Sequence, residues 1–187
     1  MSGAAVELRM FTRADGSFLT SWIAGPVELM TWAGPTFTWP LDKLQIAAYA
    51  AESMTRRRRS WMGVNSRTGQ VVGHASVRMN ADGAAGRLGR VLIAPEARGC
   101  GMGAAMLTHV LAVSFGSLGL ERVELGVFSH NDSAVRLYER LGFQVERVLP
   151  DVEQVEGQSW SALQMCLAKQ DWAPLPGRHH DGSGTTP

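Results

Sequence analysis

The stretch Arg98-Gly99-Cys100-Gly101-Met102-Gly103 is the most informative part of this chain. It follows the apolar run Val91-Leu92-Ile93-Ala94-Pro95 and opens a segment with helical spacing. Three glycines in five positions let the backbone turn with its N–H groups pointing inward. A helix N-terminus adds further free N–H groups and the positive end of a dipole. Strand, glycine-rich turn and helix together form a cradle for a phosphate or pyrophosphate.

The neighbours of the turn narrow the ligand. A mononucleotide phosphate loop needs Lys-Ser or Lys-Thr after its last glycine, but Gly103 is followed by Ala104-Ala105. A dinucleotide fingerprint needs Gly-x-Gly-x-x-Gly with the strand running straight into the glycines. Here the strand ends in Pro95 and a linker, Glu96-Ala97, precedes the turn. The pattern that remains is Arg-x-x-Gly-x-Gly after Ile-x-Pro.

With a second block, Asn131-Asp132-Ser133-Ala134-Val135-Arg136-Leu137-Tyr138-Glu139-Arg140-Leu141-Gly142-Phe143, this region resembles the GNAT acyltransferase superfamily over about residues 87–143. The first block, from Arg90 to Gly103, is similar to that family's pyrophosphate-binding motif. The second is similar to its later motif, Asn-x-x-Ala-x-x-Leu-Tyr-x-x-x-Gly-Phe. The two occur in order, with a helix and a strand between them.

Periodicity in the same residues agrees. Met102, Ala105, Met106, His109, Val110 and Val113 fall at i, i+3/i+4 spacing, which predicts a helix packed on a sheet. Val123, Leu125 and Val127 alternate with Glu124, Gly126 and Phe128, as in a strand. Asn131, Asp132 or Ser133 can cap the next helix, and Gly142 ends it. In the N-terminal third, a strand is expected at Val6–Met10 and helices over Ser17–Ile23, Pro26–Trp32 and Leu41–Met54. The last carries Leu44, Ala47, Ala48 and Ala51 as its stripe. Strands are expected around Ser60–Asn65 and Val71–Met79, and a last hairpin turns at Gly157. The segment Trp32–Leu41 holds two prolines, a glycine and three bulky aromatics, so it is read as a loop. It either walls an acceptor pocket or folds onto the core. The run Arg56-Arg57-Arg58-Arg59 is read as a solvated strand edge.

The 187 residues are 45% hydrophobic, enough for one compact domain over residues 1–172. Residues 173–187 are expected to be a disordered tail, and His179-His180 on it is only a weak metal signal. A net charge of +1 implies no strong field for nucleic acid or membrane. Two cysteines, Cys100 and Cys166, make no disulfide framework or zinc site, and no metal is expected. No signal-peptide-like or membrane-spanning run is found, so a cytoplasmic location is the default.

The resemblance implies a three-layer α/β fold. Its central sheet is mixed, mostly antiparallel and splayed around the cofactor, with helices on both faces. It implies acetyl-CoA as acyl donor and transfer to a primary amine of a small molecule or a peptide N-terminus. Whether the acyl group is longer, which amine accepts it, and whether the protein is a homodimer are left open. So is an aminoglycoside-type acceptor. The pyrophosphate would lie over Gly99, Cys100, Gly101, Met102, Gly103 and Ala104, with Arg98 adding charge or holding the loop. The pantetheine arm would pair with the backbone of Val91, Leu92 and Ile93, like an added strand. Asn131 would bond the arm, cap the helix, or both.

Tyr138 stands where the family places the acid that protonates the departing thiolate. The base is where the sequence departs from the family. The two positions where members carry a glutamate hold Arg87 and Gly126 here. Glu124, on the same strand face as Gly126, is the nearest carboxylate; Asp82, Glu52 and His74 are further candidates, and a water chain is another route. The alternative function is a non-catalytic acyl-CoA-binding module for sensing or assembly.

Overall fold

The computed structural model describes residues 5–53, 55 and 57–173. Most of the expected tail, with His179 and His180, lies outside them, as do Met54 and Arg56. The elements run β1 (Val6–Met10), α1 (Gly16–Trp22), α2 (Pro26–Ala33), α3 (Lys43–Ser53), β2 (Arg58–Asn65), β3 (Val71–Met79) and β4 (Ala85–Ile93), followed by α4 (Met102–Phe115), β5 (Arg122–Phe128), α5 (Asp132–Arg140), β6 (Gln144–Val155) and β7 (Gln158–Ala168). One seven-stranded sheet has the order β1-β2-β3-β4-β5-β7-β6. Only β4 and β5 pair in parallel; every other pairing is antiparallel. Among the described residues, no helix is long and apolar enough to cross a membrane.

Helix α4 packs on one face of the sheet. Met106, Leu107, Val110, Leu111, Ser114 and Phe115 are its buried residues. The inner stripe therefore lies about one position away from the expected one, and His109 is exposed. The sheet makes room for the helix with the cross-strand pair Gly63–Gly73. A Cβ at Gly63 would stand 2.8 Å from Met106 Sδ, and one at Gly73 would stand 3.1 Å from it. The thioether fills the hollow left by two missing side chains.

Helix α3 covers the opposite face, and its stripe also differs from the expected one. Ile46, Tyr49, Ala50 and Ser53 point inward, while Leu44 is 78% exposed. Apolar counting misses this face because two inward residues are hydroxyl-bearing and find buried partners. Arg58 of the arginine run is likewise not on a solvated edge. β2 is an interior strand between β1 and β3, and Arg58 is buried, with Nε 2.9 Å from Glu52 Oε1 and Nη1 donating to Ser76 Oγ at 3.2 Å. The true edge at that end is β1.

Candidate active site

β4 and β5 pair at Ala85–Arg122, Gly86–Val123 and Arg87–Glu124, and then diverge. β5 continues on its other side with β7 as far as Phe128. From Leu88 to Ile93, the side of β4 that faces β5 has no strand partner. Its backbone groups border a cleft of about 1470 Å³, and an open strand edge is a template for an extended ligand. Val91, Leu92 and Ile93 line the cleft.

At the far end of β4 the chain makes a 3-10 turn, Pro95–Ala97, and enters the glycine turn. Gly99 and Gly101 have φ of 74° and 78°, a conformation that costs glycine nothing and other L-residues about 1 kcal/mol or more. Gly101 is the N-cap of α4. Ala105 N–H is the first in α4 to reach a helical acceptor, Gly101 O at 3.1 Å. The N–H groups ahead of it are available to an anion. Arg98, Gly99, Gly101, Gly103 and Ala104 all line the cleft. Arg98 holds the loop, donating from Nε to Ile93 O at 3.1 Å. Cys100 is exposed, and the Met102 side chain packs on the core; neither side chain is part of the cleft wall.

Asn131 caps α5, accepting from Ala134 N–H at 3.3 Å, and its side chain also borders the cleft. Tyr138, two turns along α5, is buried at 7% exposure and lines the same cleft. Its ring lies edge-on to Phe143. Among the described residues nothing hydrogen-bonds its hydroxyl. Burial raises its pKa, so the phenol keeps its proton at neutral pH and can act only as an acid.

The two positions left without a glutamate meet in space. A Cβ at Gly126 would stand 2.7 Å from Arg87 Nη2. The guanidinium therefore lies over the bare glycine, and a cation occupies the place where a carboxylate was looked for. Glu124 is turned elsewhere: its Oε1 is 2.9 Å from Arg122 Nη2, which also bonds Glu146 at 3.2 Å. Glu124 is not part of the cleft wall.

Next to the cleft, β4 carries a bulge. His74 pairs with Leu92 and Ser76 with Gly89, so β4 gains a residue between them. Arg90 sits there at φ 52°, a region that non-glycine residues rarely occupy. Two side chains of β3 brace the bulge. Ser76 Oγ donates to Gly89 O at 3.1 Å, and His74 Nδ1 donates to Arg90 O at 2.8 Å. A carbonyl can only accept, so the proton of His74 is on Nδ1 and Nε2 accepts from Tyr49 OH at 3.1 Å. Burial lowers the pKa of His74 to about 4, which keeps it neutral. The Arg90 guanidinium lies over the Tyr49 and Phe37 rings, 4.5 and 5.1 Å from their centroids.

The aromatic segment folds onto the core and also lines the cleft. Trp32 and Phe37 stack at 5.6 Å and fold onto the Tyr49–His74 group, while Trp32 to Thr36 wall the cleft. Sequence reasoning missed Arg90 and Arg78 and read Arg58 as solvated. Their placement depends on strand register, which leaves no local signal. Glu52 borders the cleft but is engaged by Arg58. Asp82 accepts from Ala84 N–H in the β3–β4 turn. Among the described residues, no three His, Cys, Asp or Glu side chains are grouped to hold a metal ion.

The family model described as "Acetyltransferase (GNAT) family" matches residues 27–143. The chain belongs to the GNAT acetyltransferase family. Among curated relatives, it is 36% identical over 113 residues to the mycothiol acetyltransferase of Thermobispora bispora, covering 54% of this chain and 38% of that one. It is 29% identical over 83 residues to the spermidine N(1)-acetyltransferase of Escherichia coli K12, covering 44% and 45%. The chain thus spans less than half the length of these curated relatives. In fold, this GNAT chain is similar to the spermidine N-acetyltransferase from Vibrio cholerae in complex with CoA and spermine. The TM-score is 0.78 at 20% identity, over 90% of this chain and 98% of that one. The seven-stranded mixed sheet with helices on both faces is the fold expected from the sequence.

Proposed function

We propose that this protein is an acetyl-CoA-dependent N-acetyltransferase acting on a primary amine of a small molecule or a peptide N-terminus. One observation carries the reading. The unpaired edge of β4 leads through the Pro95–Ala97 turn into left-handed glycines at a helix N-terminus, and Tyr138 borders the same cleft. Those residues fit a long thioester ending in a pyrophosphate. The relatives named as acetyltransferases, and the CoA complex of a protein of like fold, support the same donor. When bound, the donor supplies an acyl group already activated as a thioester.

The chain's own residues do the rest. The N–H groups at the start of α4 hold negative charge, and Arg98 keeps the turn closed on β4. The edge of Val91, Leu92 and Ile93 aligns the arm. Tyr138 holds a phenolic proton for the departing sulfur. The amine's proton leaves to solvent, because Glu124 is engaged by Arg122 and Arg87 carries no basic lone pair at neutral pH.

Gly101→Asp tests the donor site. Aspartate tolerates a left-handed backbone better than most residues, but it sets a carboxylate against the phosphates. Acetyl-CoA binding by calorimetry should be lost while circular dichroism stays native. Undiminished binding would move the donor elsewhere, and a parent protein that binds no CoA species would end the reading.

A further inference from the structure

Arginines from three neighbouring strands border the cleft. Arg58 on β2 lies directly opposite Arg78 on β3, and Arg78 lies directly opposite Arg87 on β4. All three border the cleft. Directly opposed residues share a sheet face with Cβ atoms about 5 Å apart, and like charges so placed repel. One carboxylate, Glu52, meets this row, and it pairs with the outermost member, Arg58. Arg78 and Arg87 are exposed, and among the described residues neither has a carboxylate within salt-bridge distance. Arg90, nearby on β4, has Nε and Nη1 buried without a hydrogen-bond partner.

The remaining acids of the wall make no ion pair with the row among the described residues. Glu28 accepts from Ala24 N–H at 2.6 Å, at the start of α2. Glu153 on β6 is the one other carboxylate lining the cleft. The donor's phosphates do not explain the arginines either. Arg87 is six residues before Ile93 on β4, so it is roughly 20 Å of strand away from the glycine turn, at about 3.3 Å per residue.

We infer that Arg78 and Arg87 bind an anionic group of the acceptor, and that the acceptor is an amine that also carries a carboxylate, such as an amino acid. The inference rests on the acetyl-transfer reading and narrows its acceptor. Arg78 and Arg87 are cross-strand neighbours bordering one cleft, and a guanidinium offers paired N–H donors that match a carboxylate's two oxygens. A polyamine would bring two or more positive charges to the same wall and be repelled. Gly126 belongs to this device, since any larger residue would displace the Arg87 guanidinium.

The test is CoA release from acetyl-CoA with a panel of amino acids, their carboxamides, putrescine and spermidine. Reaction is expected with at least one amino acid, and at least tenfold lower kcat/KM with its carboxamide and with spermidine. Arg87→Gln and Arg78→Gln should each raise KM for that amino acid about tenfold or more, with kcat changed far less and KM for the carboxamide unmoved. Arg87→Lys should restore part of the loss. Spermidine or a carboxamide reacting as well as every amino acid would overturn the inference and leave acetyl transfer standing. A panel with no reacting amino acid would overturn it as well. Failure of the acetyl-transfer reading shows separately, as absent acetyl-CoA binding.

Discussion

Tyr138 and Arg87 are the two side chains whose chemistry bears most on the proposed reaction. Burial disfavours the ionised form of Tyr138, so the phenol carries its proton at neutral pH. Tyr138→Phe removes one hydroxyl from a ring packed on Phe143 and leaves the cleft wall intact. Turnover should fall by ~10²–10⁴ at unchanged acetyl-CoA affinity, read from steady-state kinetics beside calorimetry. Full turnover would reduce Tyr138 to a packing residue. The motif made Tyr138 legible in the sequence, because its spacing from Asn131 lies within one helix. The arrangement of Arg87 over Gly126 was not legible. Each residue could be noted as a missing glutamate, but they lie on different strands, and only the register of β4 against β5 brings them together.

At the scale of elements, β5 separates two kinds of charge. Its start carries Arg122 and Glu124, tied to each other and to Glu146 on β6; its end carries Gly126 and Phe128 into the cleft. Strand alternation correctly put Glu124 and Gly126 on one face. It could not show that Arg122, two residues earlier on that face, would take the carboxylate. Glu124→Gln is therefore expected to give a pH–rate profile that overlays the parent's. A deficit confined to mildly acidic pH would make Glu124 the base acting on the ammonium. Helices α3 and α4 show the same limit. Their existence and spans followed from periodicity, but their inner faces were displaced by one or two positions. Long alanine-rich or wholly apolar helices carry little contrast between faces. The sheet decides which face is buried, through Gly63 and Gly73 for α4 and through Ser60 and His74 for α3.

For the molecule as a whole, His74 links the folding equilibrium to pH. In the native state burial holds its pKa at about 4, against 6.5 for an unperturbed histidine. Between those values the unfolded chain takes up a proton that the folded chain refuses, so stability rises with pH across this window. The contribution is complete above about 6.5, is lost as pH falls, and levels off below about 4. Its size is about 3 kcal/mol. Urea unfolding followed by tryptophan fluorescence should show the midpoint dropping between pH 6.5 and 4, with a shallower drop in His74→Gln. Equal slopes in the two proteins would assign the acid sensitivity to carboxylates alone.

The features legible in the chain before folding are local. Left-handed glycines beside a helix start, an Asn cap with Tyr138 two turns on, and the alternation of strands are each written within about fifteen residues of chain. Short-range sterics and hydrogen bonding impose them, so they could be read before any tertiary contact was known. Register, by contrast, is settled by the packed sheet. The arginine row Arg58–Arg78–Arg87 joins residues from three strands, and a one-residue slip in either pairing would turn a side chain to the other face. The bulge at Arg90, braced by His74 and Ser76, adds a residue to β4 and so sets which side chains beyond it face the cleft. Register is fixed by the summed packing of helices and neighbouring strands, which no single segment encodes.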